Sequence, residues 1–195
     1  MKTVFMFLLI VAAVAAAQEV DPPRDSMSFL LGAGVWMPGL MNDGNKLEVG
    51  PVFAVGAETP MSQGNQFRLS VGYGSCGSGN AHFDGITSVM LNIAYREYPF
   101  YRPYAGARGL EPFYGFSAGG IVAWDSVADG FSNAEESTST GGAIVGVHVG
   151  TRLKVGENTF FDITIGGDWI PVGGSLAGEA DSDLSGIKIQ GSLIF

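Results

Sequence analysis

One pattern constrains this chain more than any other. Eight times along residues 27–195 an apolar side chain recurs at nearly every second position, over the segments 27–37, 49–58, 66–75, 85–97, 112–124, 141–155, 159–169 and 186–195. A period of two is the signature of a β-strand, because successive side chains point to opposite faces. One face of each segment is an apolar stripe, running Phe29, Leu31, Ala33, Val35 in the first and Ile187, Ile189, Leu193, Phe195 in the last. The opposite face carries Trp36, Glu58, Arg68, Asn92, Arg96, His148, Arg152, Asp162, Asp168, Lys188 and Gln190, interspersed with glycine. None of these segments keeps a helical period, and none is apolar throughout for the length a membrane helix needs.

Two architectures share such one-sided strands. A soluble barrel or sandwich turns the apolar face inward, whereas a membrane barrel turns it toward lipid and lines its interior with the polar face. Glycine separates them. The chain holds 30 glycines in 195 residues, roughly twice the usual share. Gly32, Gly34, Gly56, Gly72, Gly74, Gly146, Gly150 and Gly166 all fall on the polar face. The interior of an eight-stranded barrel is only just wide enough for side chains, so the crowded, glycine-rich face belongs inside. Strands of about ten residues, tilted by roughly 40°, climb about 25 Å, the height of a lipid-facing band. The expected fold is an all-β, eight-stranded antiparallel up-and-down transmembrane β-barrel.

The start of the chain agrees with export. Lys2, the apolar run Val4–Val14 and the small residues Ala15–Ala17 make a secretory signal peptide over 1–17. An N-terminal periplasmic segment, 18–26, then precedes the barrel domain, 27–195. Cys76 is the single cysteine, so no internal disulfide is available. Without Lys2 there remain nine Lys and Arg against 19 Asp and Glu, a balance that excludes a nucleic-acid partner.

Aromatics gather at segment ends. Tyr73, Tyr95, Tyr114, Trp124 and Trp169 form an expected girdle at the membrane interfaces, with Tyr98, Tyr101, Tyr104 and the terminal Phe195 at similar heights. Gaps 38–48, 76–84, 125–140 and 170–185 are mostly long and polar, whereas 59–65 and 156–158 are short. With both termini periplasmic, the long set is extracellular; the fourth gap, 98–111, is long for a periplasmic turn.

The terminal alternation ending on Phe195 and the stretch "LEPFYGFSAGG" (Leu110 to Gly120) resemble the small eight-stranded outer-membrane β-barrel proteins of Gram-negative bacteria, the OmpW-like and OmpA-type group. The resemblance covers the whole mature chain as a pattern. It implies a location in the outer membrane among lipid and lipopolysaccharide. It also implies that Phe195 is the signal read by the barrel-assembly machinery.

Chemistry on such a barrel is sparse. His82 lies in a loop and His148 in mid-strand, and neither belongs to a nucleophile motif of the Ser-His-acid kind. Cys76 has no cysteine partner and His82 no second histidine, so no metal site or cofactor is expected. The acidic loops with Asp125, Asp129, Glu135, Glu136 and with Glu179, Asp181, Asp183 lack EF-hand spacing and read as a solvated rim. The leading expectation is a non-enzymatic barrel, structural or passing small solutes, which the resemblance to OmpW-like proteins implies would be apolar. The alternative is a surface adhesion barrel binding a host ligand through its loops, and the third is a lipid-modifying enzyme. The residues expected to matter form a polar lumen network of Glu58, Arg68, Arg96, His148, Arg152, Asp162, Asp168 and Lys188. The short turn Gly156-Glu157-Asn158 places Arg152 directly opposite Asp162 if Val155 pairs with Thr159, a favourable cross-strand arrangement.

Overall fold

The computed structural model describes residues 27–39, 47–60, 65–79, 83–99, 110–127, 138–157, 159–172 and 183–195. Residues 1–17, expected to be a signal peptide, the expected periplasmic segment 18–26 and most loop residues lie outside them. The strands are β1 (Ser28–Pro38), β2 (Gly50–Pro60), β3 (Gln66–Gly77), β4 (Phe83–Glu97), β5 (Leu110–Val127), β6 (Ser139–Lys154), β7 (Phe160–Trp169) and β8 (Gly186–Ile194). Each pairs antiparallel with the next, and β1 pairs with β8, closing the barrel. The closing seam continues past β8: the amide of Phe29 donates to the Phe195 carbonyl at 2.8 Å, and the amide of Phe195 donates to Phe29 at 3.0 Å.

Closure leaves no strand edge in the wall, so backbone donors and acceptors are satisfied without water. One end of the barrel holds Ser28 and Ile194; the other holds Pro38 and Gly186. We call these the terminal end and the loop end. At the terminal end, Val155 and Gly156 donate to the Thr159 carbonyl at 3.0 and 3.1 Å. That tight turn brings Arg152 opposite Asp162.

Strand bounds differ from the expected ones in β5 and β6. β5 opens at Leu110, inside the expected fourth gap, and continues to Val127; β6 opens at Ser139. The gap 98–111 is therefore partly strand, because Leu110 and Glu111 are still held by the ladder to Leu153 and Arg152.

Burial is inverted relative to a soluble protein. Val147 is 68% exposed on the outer wall and Asp162 0% exposed inside. The inward face is not polar throughout, as the sequence pattern suggests. Leu30, Val52, Ile86, Met90, Ile121, Ile144 and Ile194 also point inward and are buried. The interior is filled to contact at the glycines: a Cβ at Gly150 would run into the Phe113 ring, and one at Gly146 into the Asp168 carboxylate.

Candidate functional site

The lumen divides into two halves. Toward the loop end, Trp36, Val52, Cys76, Phe83, Ile86, Met90, Ile121, Ala123, Ile144, Ile170, Val172 and Leu184 form one apolar cluster. Trp36 is 0% exposed. Ile170, Val172 and Leu184 come from beyond the ends of β7 and β8 and fold over the cluster. They are held by Leu184 donating to the Ile170 carbonyl at 3.3 Å and by the Ile170 amide donating to Ser185 Oγ at 2.7 Å.

Toward the terminal end lies a charged cluster centred on Asp162. Arg152 donates through Nε to Asp162 Oδ1 at 2.7 Å and through Nη2 to Oδ2 at 2.9 Å. Arg68 and Arg96 reach the same Oδ2 at 2.7 and 2.6 Å. Glu58 accepts from Arg68 at 2.8 Å and from Arg152 at 2.9 Å. Arg96 also lies 3.3 Å from Thr164 Oγ1. The cluster ties β2, β3 and β4 to β6 and β7 across the barrel. Bidentate, charge-assisted bonds of this kind are the strong ones. Glu111, opposite Arg152 in the β5–β6 ladder, brings a further carboxylate to this end.

Aromatic rings finish the terminal end. Arg96 sits 4.3 Å from the Phe113 ring centroid, and Arg152 5.2 Å from that of Tyr98. The Tyr98 and Phe113 rings lie 5.3 Å apart. Tyr98 is buried in the lumen, which corrects its expected place at the membrane interface. One residue past β4, it keeps the inward direction of Arg96, two positions before it.

The other expected lumen residues stand apart from this cluster. Lys188 and Asp168 pair at 2.6 Å, with Lys188 next to Trp36 in the β1–β8 ladder and 3.9 Å from Met90 Sδ. His148 is buried with its ring 6.3 Å from that of Phe113, and its Nε2 has no hydrogen-bond partner among the described residues. His82 and the acidic residues Asp129, Glu135, Glu136, Glu179 and Asp181 lie outside the described residues. Asp125 accepts from the Thr138 amide and hydroxyl, both at 2.7 Å, and Asp183 from the Ser185 amide at 2.8 Å. Among the described residues no group of three ligating side chains could hold a metal ion.

On the outer wall the aromatics form two belts. Tyr95 and Tyr114 sit near the terminal end, where Tyr95 packs on Phe67 at 5.7 Å and on Phe116 at 5.2 Å. Tyr73, Trp124 and Trp169 sit toward the loop end, with Trp169 59% exposed. Phe195 is half-buried at the seam.

Sequence reasoning did not find the apolar half of the lumen, nor Tyr98, Phe113 and Thr164 beside the charges. One signal was present: at the loop-end parts of β4, β5 and β6 both faces are apolar, as in "VML" and "AIV".

Fold and interior together define a closed, eight-stranded antiparallel barrel with a filled, polar-and-apolar lumen and an apolar outer wall. Among solved structures the chain is similar to Neisserial surface protein A, with a TM-score of 0.57 and 14% identity over 86% of this chain and 94% of that one. It also matches the N-terminal β-barrel domain of Pseudomonas aeruginosa OprF, with a TM-score of 0.49 and 12% identity over 87% of this chain and 96% of that one. At such identity, what is shared with the Neisserial protein is the fold. No protein-family model and no curated protein matches the chain.

Proposed function

We propose that this protein is a non-enzymatic, integral outer-membrane barrel whose wall is solvated by lipid and whose filled lumen makes it a structural element of the membrane rather than an open pore. The observation that carries the reading is the inversion of burial. All eight strands turn apolar side chains outward, and the ion pairs of the described residues between opposite strands lie inside. In water, an apolar surface of this extent would drive aggregation; in lipid, it is the surface the bilayer requires. The two aromatic belts support the same reading. Passage of small apolar solutes would require both halves of the lumen to move. The adhesion reading rests on loops that lie mostly outside the described residues.

Cell fractionation tests the proposal. The mature protein should remain in the membrane fraction until detergent is added and should change its gel mobility on boiling, since a closed sheet resists detergent. Release with the periplasmic fraction would overturn it. Phe195, as the assembly signal implied by the family resemblance, should matter more than its neighbour. Deleting Phe195 should lower the inserted fraction more than Ile194→Ala does, and equal effects would remove that role.

A further inference from the structure

The outer wall carries a depression of about 200 Å³ near the loop end, where β2, β3 and the start of β4 meet. Two ladder irregularities lie beside it. The β2–β3 register changes by one residue between Leu47↔Ser78 and Val52↔Gly74, and the β4–β5 register shifts between Phe83 and Gly85. Irregularities of this kind re-aim side chains and accompany binding sites. Pro51 fits the first, having no amide to contribute. Gly85 fits the second: its φ is 154°, and a Cβ there would strike the Cys76 carbonyl.

The depression opens outward. Val49, Pro51 and Asp84, which line it, are exposed, and Ser75 and Thr87 stand one strand period from the exposed, outward Tyr73 and Val89 on the loop-end side, while Cys76 and Ile86 of the lumen cluster form its floor. Directly beneath it, Phe53, Tyr73 and Val89 form one paired apolar row. Thr87 is flanked across the next ladder by Trp124. The Glu48 carboxylate lies over Gly77, with Oε2 2.7 Å from where a Cβ would stand, and Asp84 is exposed at the edge. The side-chain oxygens of Ser75, Thr87, Glu48 and Asp84 make no hydrogen bond or ion pair among the described residues.

We propose that this depression seats the sugar head group of an outer-leaflet glycolipid, with its acyl chains running down the Phe53–Tyr73–Val89 row. The inference rests on the membrane reading above. Sugar hydroxyls donate to the two carboxylates and accept from the two protein hydroxyls, and Trp124 offers an aromatic face beside them. The carboxylates repel a bare phosphate, so the hydroxyl side of the sugar enters. A polar depression immediately above an apolar row suits a molecule that is sugar above and hydrocarbon below.

Native mass spectrometry of the folded full-length barrel in micelles tests this with three probes: an acylated glucosamine disaccharide, the same disaccharide without acyl chains, and phosphatidylglycerol. Wild type should retain the acylated sugar in preference to both others. The double variant Ser75→Leu/Thr87→Leu, which fills the depression with side chains suited to lipid, should bind it about tenfold more weakly, the loss expected for two hydrogen bonds. Glu48→Gln/Asp84→Asn, which keeps the shape, should also weaken it. Ser139→Leu, at the same height beyond Trp124, should not. Equal retention by the filled variant, or equal retention of phosphatidylglycerol, would overturn the site. Equal binding of the deacylated disaccharide would overturn the lipid as its source. Failure of the membrane reading would show separately, as a protein that needs no detergent. The heat-shifted gel band confirms that each variant is folded.

Discussion

The two halves of the lumen solve the same packing problem with opposite chemistry. The loop-end half is filled by Trp36, Ile86, Ile121, Ile144 and their neighbours, and the terminal-end half by three arginines on Asp162 and Glu58. In a soluble protein the apolar half would dominate folding, because it leaves water. In a barrel surrounded by lipid, an isoleucine gains little by facing in rather than out. An arginine or aspartate facing lipid costs several kcal/mol, on the order of 2–4 for the cations. On the membrane reading proposed above, the charged half therefore decides which face is inside, and the apolar half fills and seals. A slip of one residue would turn every one of these charges outward.

Breaking the charged half should have the largest effect. Asp162→Ala strands Arg68, Arg96 and Arg152 and should lower unfolding stability in micelles or vesicles by about 3–5 kcal/mol, the usual cost of removing one partner of a buried pair. Adding Arg152→Ala should recover part of that loss, because two arginines and Glu58 remain. A double variant no more stable than Asp162→Ala alone would show that the arginines do not compete for one carboxylate.

A smaller effect is expected in the apolar half. Ile144→Ala should destabilise by about 2–4 kcal/mol through the cavity it leaves. In planar bilayers it should still give only small, sporadic currents, because the charged half continues to close the lumen. Stable porin-like currents from this variant would locate the only seal in the apolar half, and such currents from wild type would refute a filled lumen.

The smallest change should come from His148, whose ring lies 6.3 Å from that of Phe113 and which takes part in no ion pair among the described residues. His148→Leu should change stability by no more than about 1 kcal/mol. A much larger loss in urea titrations would mean that the imidazole holds a polar contact important to the charged half.

The sequence by itself determined the number of strands, their faces and the inside-out choice, because alternation and the placement of glycine are local properties of each segment. It also placed Arg152 opposite Asp162, since a short turn fixes the register of its two strands. It could not show that Arg68 and Arg96 reach the same carboxylate from 94 and 66 residues away. A period of two tells which way a side chain points, whereas the height at which it meets the opposite wall depends on the registers accumulated around the barrel. The same limit hid the apolar half of the lumen. Val52 and Ile121 sit in glycine-rich stretches of the inward face, and only closure gathers them, with Ile170 and Leu184 from beyond the strands, into one layer. Tyr98 shows the rule at a strand end: an aromatic near the interface can face lipid or lumen, and its position relative to Arg96, Phe113 and Arg152 sent it inward.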